Sequence, residues 1–318
     1  MGLMQKNDPR AIRAQQEHVQ KMFDASISFN TRINYKSDLD KFLGFGYPLP
    51  ADPIHIVKYL NHQARHYNPR TLDRHLKAIR YWHKINDFID PTKDARVETI
   101  RKGIKNTYGT PVKKAKPFTL EDMHKINDYY KDKTDFFSLR NNAMLQIGFF
   151  GAFRRSELVK IHFEDLSLSD EGLTILIPRS KTDQEGLGEN VCIPYMQGEL
   201  CPVKILARWL LAADMAGCYI FTAISIDKII RLSPLNCDTL YLIVKMVAEE
   251  CGLEDPHLYS GHSLRRGCAT ESARNGAGMH SIMKHGRWKD LNTVAGYIDE
   301  ACKFKDNAAS FLDISMKK

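Results

Sequence analysis

The stretch RKGIKNTYGTPVKKAKPF, residues 101–118, constrains this chain more than any other, because the charge changes character on its two sides. Up to residue 117 there are 22 Lys and Arg against 11 Asp and Glu, a net of +11. The remaining 201 residues hold 24 against 27, a net of −3. A run rich in Lys, Gly and Pro has little to bury, so its second part, 109–117, is expected to be an extended linker. One shared core is thereby disfavoured. Two domains are expected, 1–108 and 118–318, each long enough for a core of its own. Such asymmetry points to a polyanion-binding module joined to a roughly neutral one. A merely solvated basic surface is the alternative that charge alone leaves open.

The first domain reads as helical. NTRINYKSDLDKFLGFG places Ile33, Leu39, Phe42 and Leu43 near helical spacing. A second helix opens on Asp52 as N-cap with Pro53 in its first turn. NPRTLDRHLKAIRYWHKI sets Leu72, Leu76, Ile79 and Trp82 on one stripe, while Arg70, Arg74, Lys77 and Lys84 share the other face. The expectation is a helical bundle with one strongly basic helix face.

The second domain opens at FTLEDMHKI, with Thr119 as cap and Glu121 and Asp122 at the positive helix end. Residues 138–161 read as an apolar helix interrupted at Gly151. GLTILIPRSKTD and ENVCIPY read as two strands joined by the loop 183–190, with helices dominating from there onward. The fold class is therefore mainly α with a small β-sheet.

Composition removes several classes of function. The chain is 43% hydrophobic and 26% charged, as globular proteins are, and no apolar run approaches a bilayer span. MGLMQKNDPR lacks the apolar core of a signal peptide, so a cytoplasmic place and no membrane partner are expected. Seven cysteines, all in the second half, form no CxxC pair; reduced, mostly buried thiols are expected rather than a zinc site or disulfides.

Four segments of the second domain carry the chemistry. GAFRRSEL offers Arg154 and Glu157, PRSKTD offers Lys181, GHSLRRG offers His262 and Arg265, and GRWKDLNTVAGYI offers Trp288 and Tyr297. Two guanidinium forks, a lysine, a histidine and an indole N–H are donors of the kind that bind phosphate oxygens. Fixed cations would also lower a phosphoryl transition state. With no P-loop and no acidic cluster for magnesium, ATP chemistry is not expected, and neither a cofactor nor a metal is called for. A tyrosine hydroxyl is then the available nucleophile for phosphorus. Each residue also has a plain reading. His262 and Arg265 alone make a surface pair, and Trp288 and Tyr297 alone are packing residues. Arg155 and Arg266 sit beside the chosen arginines as polyanion-facing or structural groups, and Cys268 reads as core.

The ordered set R-x-S-E-L, strand lysine, H-x-x-R, G-x-W and a tyrosine nine residues beyond resembles the tyrosine recombinases (phage integrase family), and within them the Cre-like branch. The resemblance extends to the basic helix of the first domain. It implies a two-domain C-shaped clamp, with an N-terminal helical core-binding domain and a C-terminal mixed α/β catalytic domain ending in a tail helix. It implies that Arg154, His262, Arg265 and Trp288 hold the scissile phosphate, with Lys181 protonating the departing 5′ oxygen. Tyr297 would form a 3′-phosphotyrosyl bond, and Glu157 would orient the catalytic side chains. It further implies a site-specific recombinase that cuts and rejoins DNA without metal or ATP. The partners would be a double-stranded site with inverted-repeat arms and three further copies of the chain, acting as a tetramer through a Holliday junction. In the first domain, Arg70 is then a phosphate contact and Arg74 a major-groove reader, joined by Lys77, Arg32, Asn34 and Lys36. DNA relaxation or telomere resolution would use the same chemistry, and a catalytically silent DNA-binding protein is the alternative of another class. Ala308, Phe311 and Leu312 are read as an amphipathic tail, docking on a neighbour or on their own domain.

Overall fold

The computed structural model describes residues 26–179, 187–214, 218–304 and 308–309. Lys181, Phe311 and Leu312, and with them the expected tail helix, lie outside the described residues. The chain forms two compact units, Met1–Lys113 and Lys114–Lys318.

In the first unit, four α-helices are described, each started by a side chain that accepts a backbone N–H. They are α1 (Phe29–Gly44, capped by Ser28), α2 (Pro53–Gln63, by Asp52), α3 (Pro69–Ile85, by Asn68) and α4 (Ala95–Tyr108, by Asp94). Proline stands in the first turn of α2 and α3, where its missing N–H costs nothing. Phe42, Ile56, Tyr59, Leu60, Leu72, Leu76, Ile79, Val97 and Ile104 close the core. The apolar stripe expected on α1 is narrower than its sequence suggests, since Ile33 and Leu43 stay 51% and 45% exposed. Leu39 and Phe42 face inward instead, together with a buried carboxylate, Asp38.

The second unit begins with α5 (Leu120–Tyr130), where Thr119 and Asp122 form a reciprocal capping box. Helix α6 (Phe136–Phe150) is buried on nearly every side and stops at Gly151; the single-turn α7 (Arg155–Leu158) follows. Strands β1 (Leu166–Leu168), β2 (Gly172–Ile177) and β3 (Glu189–Pro194) form an antiparallel sheet in that order. The β2–β3 register pairs Leu173 with Ile193 and Ile175 with Val191, and these four side chains point into the core. Then come α8 (Pro202–Ala213), β4 (Thr222–Ile224), β5 (Ile230–Pro234), α9 (Cys237–Glu250), α10 (Gly261–Arg274), α11 (Met279–Gly286) and α12 (Leu291–Cys302). Helices dominate after β3, as expected, and the β4–β5 hairpin is an element the sequence reading did not single out. Its pattern is blurred because Leu232 projects 79% exposed and only one face packs.

Helix α10 runs through the middle of this unit, with Leu264, Arg265, Arg266, Cys268 and Ala269 buried. Gly267 lets it approach the chain leading into α5, because a Cβ there would lie 2.3 Å from the Phe118 carbonyl oxygen. Residues 109–119 form neither helix nor strand. This segment is fastened at both ends to the unit it adjoins. Arg70 and Asn68 donate to Thr110, while Lys116 N donates to the Leu258 carbonyl and Phe118 N to that of Ser263. The cysteine expectation needs revision: Cys201 and Cys268 are buried, Cys192 is exposed, and the other four are half-buried. No helix of the described residues is long and apolar enough to cross a membrane.

Candidate active site

Five segments of the second unit converge on one cluster. Helix α6 ends at Gly151, and the chain turns through Ala152 (φ 48°) so that Arg154 caps α7. Three residues on, Glu157 points back. Its Oε1 accepts from Arg154 Nη1 (2.6 Å), and its Oε2 accepts from the Arg154 backbone N–H (3.1 Å). The same Oε2 accepts from Arg287 Nη2 at 2.8 Å. Burial pushes the Glu157 carboxyl up, but Arg287 and then Arg154 outweigh it and hold the group below its ordinary range. It is a carboxylate at neutral pH.

Helix α10 starts because Ser260 accepts the His262 N–H (3.2 Å) and Ser263 Oγ accepts the Ser260 N–H (2.9 Å). The one-turn spacing then sets His262 and Arg265 on the same face. Arg265 is 3% exposed, donates through Nη1 to the Ala152 carbonyl, and has a buried Nη2 that makes no hydrogen bond. Burial, and then repulsion by Arg154, pushes the Arg265 guanidinium down to about 9. It therefore remains a cation at neutral pH, at an energetic cost that a bound anion would relieve. His262 keeps an exposed surface; desolvation of its ring, then the positive field of Arg265, Arg155, Arg154 and Arg266, lowers its pKa below the usual value.

Trp288 lies under this cation. The Arg265 guanidinium carbon is 4.2 Å from the Trp288 ring centroid, and the Tyr297 ring meets the indole edge-on at 5.6 Å. A Cβ at Gly286 would fall 1.6 Å from the indole, so glycine makes the room that Trp288 occupies. Tyr297 sits on α12, whose start is capped by Asp290. Arg154, Glu157, His262, Arg265, Trp288 and Tyr297 are thus brought into one neighbourhood. Lys181, beyond the end of β2, lies outside the described residues.

The neighbours separate as well. Arg266 is 6% exposed, ion-paired with Glu300 on α12 and bonded to the Ala115 carbonyl, so it is structural. Arg155 is exposed and crosses the start of α10, where a Cβ on Gly261 would lie 2.3 Å from it. Cys268 is buried, and burial pushes its thiol up to about 11. Sequence reasoning passed over two residues, His285 and Arg287. His285 Nε2 donates to the Phe150 carbonyl at 2.7 Å, fixing α11 against the end of α6. Arg287 is 7% exposed and reaches Glu157 across 130 positions of chain. Its only sequence signal was a basic residue beside Trp288, which reads as an ordinary helix C-terminus.

In the first unit, Arg32, Asn34 and Lys36 lie on α1 and Arg70, Arg74 and Lys77 on α3. Arg70, Lys77, Asn34 and Lys36 are exposed. Arg74 is 41% exposed, and its fork grips buried Asp38 through Nε (2.7 Å) and Nη2 (2.9 Å). Behind Asp38, His75 Nε2 lies 3.1 Å away, and its Nδ1 is hydrogen-bonded to the Tyr59 hydroxyl at 2.8 Å. Among the described residues no group of three or more His, Cys, Asp or Glu is placed to hold a metal ion.

Comparison with known proteins gives a consistent answer. The phage integrase family matches residues 116–303. An integrase/recombinase XerD homolog of Selenomonas ruminantium is 38% identical over 264 residues, covering 82% of this chain and 77% of the relative. The recombinase Cre of Escherichia phage P1 is 25% identical over 267 residues, covering 78% and 76%. Among solved structures, a lambda integrase dimer bound to a COC' core site superposes with a TM-score of 0.61 at 15% identity, over 95% of this chain and 84% of that one. The last is a likeness of fold.

Proposed function

The chain belongs to the phage integrase family, and from that premise we propose that it cuts and rejoins DNA at the cluster just described, with Tyr297 as nucleophile. Membership makes it a site-specific tyrosine recombinase. One observation carries the assignment of residues: Arg265 is buried with an orphan Nη2, on a Trp288 ring whose edge meets Tyr297. A buried cation with an unused donor suits an anion, and Tyr297, whose hydroxyl can serve as nucleophile, packs on the same indole.

The Tyr297 hydroxyl releases its proton to solvent as its oxygen attacks phosphorus, the bond from phosphorus to the 5′ oxygen breaks, and a 3′-phosphotyrosyl link forms. Arg154, Arg265 and His262 bind the non-bridging oxygens, whose negative charge grows in the transition state, and the Trp288 N–H adds a donor. Lys181 gives its proton to the departing 5′ oxygen. Attack by a 5′ hydroxyl of a second strand reverses the step and frees Tyr297, so the energy of the phosphodiester is kept. Four copies on two sites would exchange strands in turn through a Holliday junction, in the cytoplasm. The first unit supplies salt-dependent backbone affinity through Arg70, Lys77, Arg32 and Lys36, with Arg74 and Asn34 toward the base edges.

The test begins by selecting bound duplexes from a randomised pool, then nicking the recovered sequence near its centre. Wild type should leave a protein–DNA adduct resistant to denaturant, and Tyr297→Phe should leave none. Adduct formation by Tyr297→Phe at the wild-type level would show that another residue attacks. Binding without any adduct, on every nicked duplex, would favour a silent DNA-binding protein.

A further inference from the structure

Arg287 is an odd residue for its place. It ends α11 with φ 57° and ψ 42°, a left-handed conformation that side chains other than glycine adopt at a cost. Its guanidinium is then buried, which costs again. Apart from its own helix and Glu189, its contacts lead to the catalytic cluster, and its buried Nε makes no hydrogen bond. Nη2 donates to Glu157 (2.8 Å), Nη1 lies 3.5 Å from the Gly151 carbonyl oxygen, and the guanidinium stands over the Phe153 ring at 5.2 Å. Glu189, at the start of β3, is 3.9 Å from Nε. Glu157 in turn grips both the side chain and the backbone N–H of Arg154. The neighbouring residue along the chain is Trp288.

We propose that Arg287 is a positioning residue for DNA cleavage, setting Arg154 through Glu157 while its own backbone sets Trp288 beneath Arg265. The inference rests on the cleavage function proposed above, and it adds a residue that does not touch DNA. A carboxylate shared between two guanidinium groups cannot swing toward either without losing the other. Arg287 thereby stops Glu157 from following Arg154 when that arginine turns to the phosphate. It also anchors the α7 turn to the α11–α12 connection, so that the phosphate-binding arginine and the helix bearing Tyr297 keep one spacing. The groups facing Glu157 and Arg287 are Arg154 on the α7 turn, Arg265 on α10, His285 on α11 and Glu189 on β3. The charge of Arg287 is the largest single contribution that keeps Glu157 ionised, beside the hydrogen bonds and charge of Arg154.

The experiment compares full-length Arg287→Gly, Arg287→Lys, Glu157→Gln and the double variant Arg287→Gly/Glu157→Gln on the nicked duplex. Glycine accepts the left-handed backbone, so Arg287→Gly removes the charge without strain. DNA affinity should change less than about threefold, while the single-turnover rate of adduct formation falls on the order of 100-fold, as for one lost electrostatic contact. Arg287→Lys should recover part of that rate. In Arg287→Gly the acid side of the rate profile should move to higher pH, and adding Glu157→Gln should abolish the movement with little further loss of rate. A wild-type rate for Arg287→Gly overturns the proposal. So do fully multiplicative losses in the double variant, or a loss that tracks the melting temperature and is not recovered by lysine. Arg154→Ala and Tyr297→Phe run alongside: if they too form adduct at the wild-type rate, the cleavage assignment has failed; if they do not while Arg287→Gly keeps that rate, only the role of Arg287 has.

Discussion

Each unit buries one carboxylate behind two basic side chains, and the two clusters are built for different ends. In the first, Asp38 faces Arg74 and His75. Burial lowers the His75 pKa despite the aspartate, so the ring is neutral at pH 7 and one negative charge answers one positive. Arg74 remains 41% exposed while its fork is already engaged. The charge of that cluster balances without DNA, and only the exposed remainder of Arg74 is left to face a base edge. In the second, Glu157 faces Arg154 and Arg287, with Arg265 close by, so positive charge is left over in a buried place. The remainder is a fold held ready for an anion. One lesson is that buried charge indicates a reacting site when its account does not balance, and a structural pin when it does.

Removing the surplus should have the largest effect. Arg265→Ala should slow adduct formation by about 10²–10³-fold, the usual loss for one donor to a developing anion. It should raise the melting temperature or leave it unchanged, because a costly buried cation is gone. A variant that cuts at the wild-type rate would erase the difference between the clusters.

The balanced cluster should answer in stability instead. Asp38→Asn should destabilise the first unit by about 2–3 kcal/mol, less than the 3–5 of a fully buried pair because Arg74 is partly solvated. Denaturant unfolding of the full chain would measure this. At saturating DNA the cleavage rate should be unchanged; a cleavage defect as deep as that of Arg265→Ala would show that the clusters do not divide the work.

Acid should separate the two clusters further. His75, His262 and His285 all titrate below their usual value of 6.5, with burial the main cause. Groups held neutral in the fold contribute stability that is complete above 6.5 and is lost as pH falls below it, when the unfolded chain takes up protons. His75 has Asp38 to receive its proton, whereas His285 faces Arg287 and Arg265. The fall in melting temperature between pH 7.5 and 5.5 should therefore shrink more in His285→Gln than in His75→Gln. Equal changes would contradict the charge count.

The smallest effect is expected on the exposed basic face. Arg70→Ala should weaken binding severalfold for every duplex alike and lower the slope of log affinity against log salt by about 0.9, one phosphate contact. A loss confined to one sequence would make Arg70 a base reader.

Much of this was legible in the chain. Asp52 and Thr119 start helices by bonds to N–H groups two or three residues away, so capping shows in a short window. The β2–β3 hairpin was visible because Leu173, Ile175 and Ile177 alternate at the period of a half-buried strand. His262 and Arg265 share a face for the same local reason. The β4–β5 hairpin was not visible, since one buried face over three to five residues gives no clear period. The H-x-x-R spacing already selects Arg265 over Arg266 in sequence; the partners, the Trp288 ring for the first and Glu300 for the second, give the physical reason.

By itself the sequence determined a basic part and a roughly neutral one, their helices and one sheet, and a set of donors with a tyrosine in the order of a known family. Those follow from spacings of a few residues and from net charge, which need no knowledge of folding. Tertiary structure decided which cations are buried, that Arg74 grips Asp38, and that Arg287 shares Glu157 with Arg154. Burial and long-range pairing set the cost of a charge, and neither exists until the chain has brought residues 157 and 287 together.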